Sequence, residues 1–385
     1  MKVYLDNAST TKVDERVIKK MIPYFKDNYG NASSLHEKGL SAKKAIEEAR
    51  NIIAISINAD SDEIYFSSGG TESNNWALKG IAFSNRHKGN HIITTKVEHK
   101  CIMESCDWLN KQGFEITHLE VNNGGLVDLE ELKKKIRKDT ILVSVIHGNN
   151  EIGTINDIEK IGKICKERGV YFHSDACQSF LKEKINVKEM NIDLLTLNAH
   201  KIHGPKGVGA LYVRSGVILN SWQQGGGQEN NMRAGTENTP GIVGFGEAVR
   251  LGLNKEEIEK MEKLRDKLIE GILQNISEVK LNGSSGKKRL CNNINLSFRY
   301  IEGESISGML NQHGICGSTG SACSEKSLEP SYVLKAIGLN HEMANGSLRL
   351  SLSKETNEKE INYVLEILPK VVKKLREYSP YGEVK

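Results

Sequence analysis

The chain has 385 residues, enough for more than one ordinary domain around a well-buried core. Hydrophobic residues make up 38% of it and charged residues 26%, the proportions of a water-soluble globular protein. Its 53 basic and 49 acidic residues intermix to a net charge of +4, which argues against a dedicated nucleic-acid surface, where basic residues cluster. No apolar run reaches the length of a membrane span. The opening residues 1–11 lack the apolar core of a signal peptide and read as a short strand and a polar loop. Seven cysteines without regular spacing suit a reducing compartment better than a disulfide framework. The cytoplasm is the expected location, with no membrane contact and no direct nucleic-acid binding.

Over the first two thirds, apolar β-branched runs at 63–66, 91–95, 114–119, 141–146, 170–173, 194–197 and 209–213 alternate with helical stretches. The helical patterns include 71–84, 99–111, 129–137 and 157–168. This alternation predicts a large α/β domain, a mostly parallel sheet flanked by helices on both faces. Residues 248–275 read as one long charged helix leaving it. Strands near 293–298 and 347–352 and helices near 304–313 and 357–378 then predict a smaller α+β domain. The expected division is a large domain over 13–250 and a small one assembled from 1–12 and 251–385. Residues 314–330, rich in Gly and Ser, are expected to form an exposed, mobile loop of the small domain.

Ligands in an open α/β sheet bind beyond the carboxyl ends of the strands, so the polar residues there are the place to look for chemistry. The run at 63–66 leads into Ser67-Ser68-Gly69-Gly70-Thr71-Glu72 and a helix. Glycines permit a tight turn, and free N–H groups at a helix start favour a small anion such as phosphate. The alternative is an ordinary turn capped by Thr71; the Gly-Lys-Ser/Thr ending of a nucleotide P-loop is absent. Asp175, near the end of the 170–173 strand, could hold a proton on a pyridine nitrogen or could simply cap a helix. Lys201 and Lys206 both follow the 194–197 strand. A lysine desolvated there suits Schiff-base formation, and Lys201 is the nearer to the strand end. His99, at a helix start, could stack on an aromatic ring or shuttle a proton. Cys323 lies among small polar residues, a setting for a reactive thiol, whereas Cys165 sits in an apolar run. Arg349, on the apolar strand SLRL, needs a carboxylate partner from the protein or from a substrate.

In chain order these residues accompany the segments YLDNASTT, YGNASSLH, FSSGGTESNN, VEHK, HGNNEIGT, FHSDACQ, NAHKIHGPKGVGALYV, GGGQE, MRAGTEN, TGSACS, SLEPSYVL and SLRLS. The sequence thereby resembles the cysteine desulfurases of the NifS/IscS type, pyridoxal 5'-phosphate (PLP) enzymes of the class-V aminotransferase fold, from residue 5 to about residue 351. The resemblance implies that Lys201 binds PLP, that Asp175 pairs with the pyridine nitrogen, and that Gln178 bonds the phenolic oxygen beneath a ring stacked on His99. It places Gly70, Thr71, Asn198 and His200 around the phosphate and has Thr236 reach the phosphate of a second subunit, which implies a homodimer. Asn150, which would also face the cofactor, and Arg349 would hold the carboxylate of L-cysteine. Lys201 would remove the α-proton. Cys323 would attack the substrate sulfur, leaving alanine and a persulfide for an acceptor protein, either an iron–sulfur scaffold or a tRNA-thiolation enzyme. Cys323 could also serve as a transient iron–sulfur ligand shared with a scaffold. Two other readings stay open: a selenocysteine lyase or other enzyme of the same fold, and a non-catalytic scaffold or regulatory homologue. The sequence departs from the family pattern at Asn198 (often serine), at Gly70 and Ser9 (often alanine), and at Leu352-Ser353-Lys354 (often a Gly-Arg ending).

Overall fold

A computed structural model describes residues 1–319 and 330–379. The chain opens with a short strand, β1 (Val3–Tyr4), and the helices Glu15–Met21, Pro23–Lys26 and Glu37–Ser56. Seven strands follow: β2 (Ile64–Ser67), β3 (His91–Thr95), β4 (Glu115–Leu119), β5 (Thr140–Ser144), β6 (Tyr171–Asp175), β7 (Leu194–Asn198) and β8 (Gly209–Val213). They form one sheet in the order β2-β8-β7-β6-β5-β3-β4. Five of them, from β4 to β7, run parallel, and β8 runs antiparallel to both of its neighbours. Strands β3, β5, β7 and β8 are buried at every position, which is why they read as continuous apolar runs without alternation. Strand β4, at the edge, is exposed at Glu115.

The expected single helix over 248–275 is two helices, Thr239–Leu251 and Lys255–Asn275. Gly252 leaves the helical region at φ 58°, and Asn254 starts the second helix with a capping box shared with Glu257. Beyond it, β9 (Val279–Leu281), β10 (Asn293–Phe298), β11 (Ile315–Cys316) and β12 (Ser347–Ser351) complete the strands. An antiparallel sheet in the order β12-β10-β9 packs against the helices Lys255–Asn275 and Gly303–Gln312, and the helix Glu358–Tyr378 packs on both of these. Strand β1 pairs in parallel with β11, so residues 315–316 belong to a strand and not to an exposed loop. Ile315 is fully buried there. Residues 320–329 of that expected loop, Cys323 among them, lie outside the described residues.

Four apolar clusters result among the described residues, and two of them position the N-terminal segment. One joins Val17, Ile53, Phe172, Leu197 and Phe245 beneath the large sheet; the other joins Val3 and Leu5 to Leu296, Leu350 and Leu368. The N-terminal segment is thus held in the second core while its next residues cross towards the first. Among the described residues, no helix is long and apolar enough to cross a membrane.

One buried ion pair fastens the large domain. Arg50, on the helix Glu37–Ser56, donates to both carboxylate oxygens of Glu229 at 2.7 and 2.8 Å, and Glu229 also accepts from the backbone N–H of Phe66 on β2. Their side chains are only 9% and 4% exposed, so removing Glu229 leaves the buried Arg50 with only the exposed Glu47, at 3.1 Å, as counter-ion. Glu229→Ala is expected to lower the unfolding free energy by about 3–5 kcal/mol, read from urea denaturation of the large-domain signal.

Candidate active site

The carboxyl ends of the large sheet meet the N-terminal segment and β12 at a cavity of roughly 300 Å³. Its wall includes Gly70, Thr71, His99, Asn150, Asp175, Gln178, Asn198, His200, Lys201 and Arg349. The sequence reading placed each of these at the site. Thr236 is exposed and off this wall, and Lys206 is exposed and off it too. Between the two candidate lysines, the fold brings Lys201 to the cavity.

Lys201 sits in the turn after β7 and donates from Nζ to the carbonyls of Ala8 and Ser9, the latter at 2.8 Å. Burial, and next to it the Arg349 guanidinium, pushes its amine down to about 8. Backbone carbonyls satisfy its N–H groups without supplying the full counter-charge that would hold it as an ammonium. Asp175 is the last residue of β6 and lies inside the strand rather than after it. It accepts from Asn74 Nδ2 at 2.6 Å and from the Cys177 N–H at 2.9 Å. No helix lies between β6 and β7, so Asp175 faces the cavity and braces a turn at Cys177 without capping a helix.

The helix Gly70–Ser84 begins directly after Gly69, whose φ of 150° suits glycine, and no side chain caps it. Thr71 is inside the helix and does not cap it, so the first-turn N–H groups remain available to an anion. A Cβ on Gly70 would come within 2.5 Å of Cys177 Sγ, which explains why glycine stands where alanine is common. Asn198 ends β7, and its Oδ1 is buried without a hydrogen-bond partner, as are Oδ1 of Asn74 and of Asn150. Burial, followed by Lys201 and Lys206, pushes the His200 imidazole down to about 4. Neutral His200 therefore offers a hydrogen bond to an anion rather than a charge.

His99 caps the helix Lys100–Lys111 by accepting the Cys101 N–H on Nδ1 at 3.3 Å, with Cys101 Sγ 3.0 Å from the same nitrogen. Burial lowers its pKa, partly offset by Asp175. Gln178 Nε2 donates to the Ala8 carbonyl at 2.8 Å. Arg349 enters from β12 and is 3% exposed; it pairs with Asp6 at 3.1 Å and donates to the Asn150 carbonyl at 2.9 Å. The carboxylate partner expected for it is thus supplied by the protein.

Glu98, fully buried beside His99, has its carboxyl pushed up to about 8 by burial. Its backbone carbonyl accepts from Tyr332 Oη at 2.6 Å, while the Ser318 N–H donates to the Arg349 carbonyl at 3.1 Å. Both flanks of the segment carrying Cys323 are therefore fixed against residues next to the cavity. Among the described residues, no group of three or more His, Cys, Asp or Glu is placed to hold a metal ion.

Sequence reasoning missed Asn74, Cys101, Cys177 and Ala8, all on the cavity wall, and named Ser9 as a departure from the family pattern without giving it a role there. Asn74 was within reach, since it lies one helical turn after Gly70 and faces the same way. The other positions follow from packing between distant segments.

An uncapped helix start, a desolvated lysine and a strand-end carboxylate fit a small, phosphorylated pyridine aldehyde. The chain matches the family model described as aminotransferase class-V over residues 3–364. It is 52% identical to the cysteine desulfurase IscS of Clostridium botulinum over 99% of its own length and 97% of that protein. A solved NifS-like protein superposes with a TM-score of 0.92 at 37% identity, covering 97% of this chain and all of that one. A solved SspA in complex with cysteine gives 0.83 at 38% identity over 92% of this chain and all of that one. PLP added to apoprotein should be trapped by borohydride on Lys201 with a rate that rises around pH 8, because only the neutral amine attacks the aldehyde. Lys201→Ala should abolish the trapped label and Lys206→Ala should retain it, as read by peptide mass spectrometry. A family match along nearly the whole sequence, with half-identical relatives of the same length, means that this chain belongs to the class-V aminotransferases and, among them, to the PLP-dependent cysteine desulfurases of the IscS/NifS type.

Proposed function

We propose that the chain removes sulfur from L-cysteine, releases L-alanine and carries the sulfur as a persulfide on Cys323. The single observation that supports it most is the convergence of a counter-ion-poor lysine, a fixed carboxylate and a buried arginine on one cavity. When bound, PLP supplies the electron sink for charge that develops at the substrate α-carbon. Lys201 would hold it and then accept the α-proton on Nζ, a task that its pKa of about 8 suits near neutral pH. Asp175, kept in place by Asn74 and the Cys177 N–H, would retain the proton on the ring nitrogen. The first-turn N–H groups, Thr71, Asn198 and His200 would bind the phosphate, and Gln178 and His99 would fix the ring. Arg349 and Asn150 would orient the substrate carboxylate.

The Cys323 thiolate would form an S–S bond with the substrate sulfur as the carbon–sulfur bond breaks, and the carbon that loses sulfur takes up a proton to complete alanine. The persulfide would pass to an acceptor protein, an iron–sulfur scaffold or a tRNA-thiolation enzyme, in the cytoplasm. Cys323→Ser should still bind PLP and cysteine yet release no alanine in a single turnover; normal alanine release would remove Cys323 from the mechanism.

A homodimer completes the reading. Ile18, Ile22, Phe25, Tyr29, Leu35 and Leu40 are exposed along one stretch, Leu35 by 91%, which is unusual for so many large apolar side chains on a monomer. Exposed Thr236 sits on a loop tied by Arg233 to Glu72, beside the phosphate-binding helix start, at 2.9 Å. Light scattering should return about twice the 42.8 kDa chain mass, and the double variant Phe25→Asp, Leu35→Asp should shift it towards a single chain.

A further inference from the structure

Ser9 stands where alanine is frequent in the family, and it touches two groups at once. Its Oγ donates to Asp6 Oδ1 at 2.8 Å and accepts from Arg349 Nη2 at 2.8 Å, while its backbone carbonyl accepts from Lys201 Nζ at 2.8 Å. Arg349 Nη2 also reaches Asp6 Oδ1, at 3.1 Å. The hydroxyl therefore sits between a buried cation and its protein counter-ion, giving a proton to one and a lone pair to the other.

We infer that Ser9 is a positioning and specificity-determining residue, whose hydroxyl holds Arg349 ready for a substrate carboxylate against the competing pull of Asp6. The inference rests on the assignment of Arg349 to the substrate carboxylate made under Proposed function. An incoming carboxylate must share the guanidinium with Asp6, because a cation with two carboxylates divides its hydrogen bonds between them. Ser9 weakens the competitor by occupying a lone pair of Asp6 Oδ1. It also keeps Nη2 bonded to a neutral oxygen, so the guanidinium does not need to reorient when substrate arrives. With alanine at position 9, Asp6 loses a donor and draws Arg349 harder, and Nη2 loses an orienting acceptor. Both changes act in the same direction, towards weaker binding of the carboxylate. The backbone carbonyl that receives Lys201 is kept in either case, so the effect separates from the lysine.

The test compares holoenzyme carrying Ser9→Ala, Ser9→Thr and Arg349→Lys with the parent. The ligands are 3-mercaptopropionate, which has the thiol and carboxylate but no amine, and cysteamine, which has the thiol and amine but no carboxylate. Ser9→Ala should weaken calorimetric binding of 3-mercaptopropionate by about 5- to 10-fold and raise the KM for L-cysteine by a similar factor, with most of the loss in KM and little in kcat. The spectral titration with cysteamine should shift by less than about 2-fold, and Ser9→Thr should restore the carboxylate affinity. Equal weakening for cysteamine, or unchanged affinity for 3-mercaptopropionate, would overturn the role of Ser9. Should Arg349→Lys leave 3-mercaptopropionate binding unchanged, the assignment of Arg349 itself fails. Loss with Arg349→Lys but not with Ser9→Ala would remove the Ser9 inference alone.

Discussion

A primary amine buried without a carboxylate of its own is the condition on which this site depends. Lys201 Nζ is satisfied by the carbonyls of Ala8 and Ser9, and those belong to a segment anchored in the other core. Burial lowers the amine's pKa first and Arg349 second, while Asp6 partly opposes them. Were a carboxylate to replace one carbonyl, the ammonium would be stabilised and its proton held too tightly for use near neutral pH. The amine is therefore poised by an agreement between two domains. The large sheet delivers Lys201, and β1, paired with β11, delivers the oxygens that receive it.

The same packing makes the cavity electrically polar. The carboxylate of Asp175 is held by a side-chain amide and a backbone N–H, with no cation bonded to it among the contacts described. The same wall carries the cations Lys201 and Arg349, the second already paired with Asp6. His99 and His200 share that wall, and burial leads the causes that keep both imidazoles below their usual titration range. In the roles proposed for them, Asp175 would face a protonated ring nitrogen and Arg349 the substrate carboxylate, each charge already fixed in place by its own hydrogen bonds. Such fixing lowers reorganisation during the reaction, because the dipoles and charges need not turn.

Much of this was legible in the chain itself. Strands such as 91–95 and 194–197 carry unbroken apolar character because both faces are covered, and the ends of the runs at 170–173 and 194–197 mark where Asp175, Asn198 and Lys201 had to lie. The break at Gly252 was hidden by charge patterning that continues on both sides of it, although the Asn254–Glu257 capping box was written in the sequence. Residues 315–316 read as loop because two apolar residues between Gly314 and Gly317 are too short a run to register; only pairing with β1, more than three hundred residues away, makes them a strand. Asp6 and the role of Ser9 escaped for a related reason. Their partners Arg349 and Lys201 are distant in sequence, and periodicity reports the face of an element without naming what meets it.

The departures from the family pattern are not scattered once their neighbours are known. Gly70 faces Cys177, whose sulfur occupies the space that an alanine methyl would need. Ser9 is bonded to Asp6 and Arg349. Lys354 reaches Asp14 at 2.9 Å, and there it joins Arg16, whose hydrogen bond is the main reason that the Asp14 carboxyl titrates far below the ordinary range. These three unusual residues are thus each one half of a local pair, two of them on the cavity wall and the third joining the segment after β12 to the residue that caps the helix Glu15–Met21, whereas Asn198 keeps its Oδ1 without a partner. Replacing one half by the common family residue would leave a void, a clash or an unpaired polar group, and such coupled changes do not add independently. The chemistry of the family and the fine adjustment of this chain therefore reside in different layers. Lys201 and Asp175 are set by strand ends, and the adjustment is set by side chains such as Ser9 and Cys177 that pack against these groups or their neighbours from other segments.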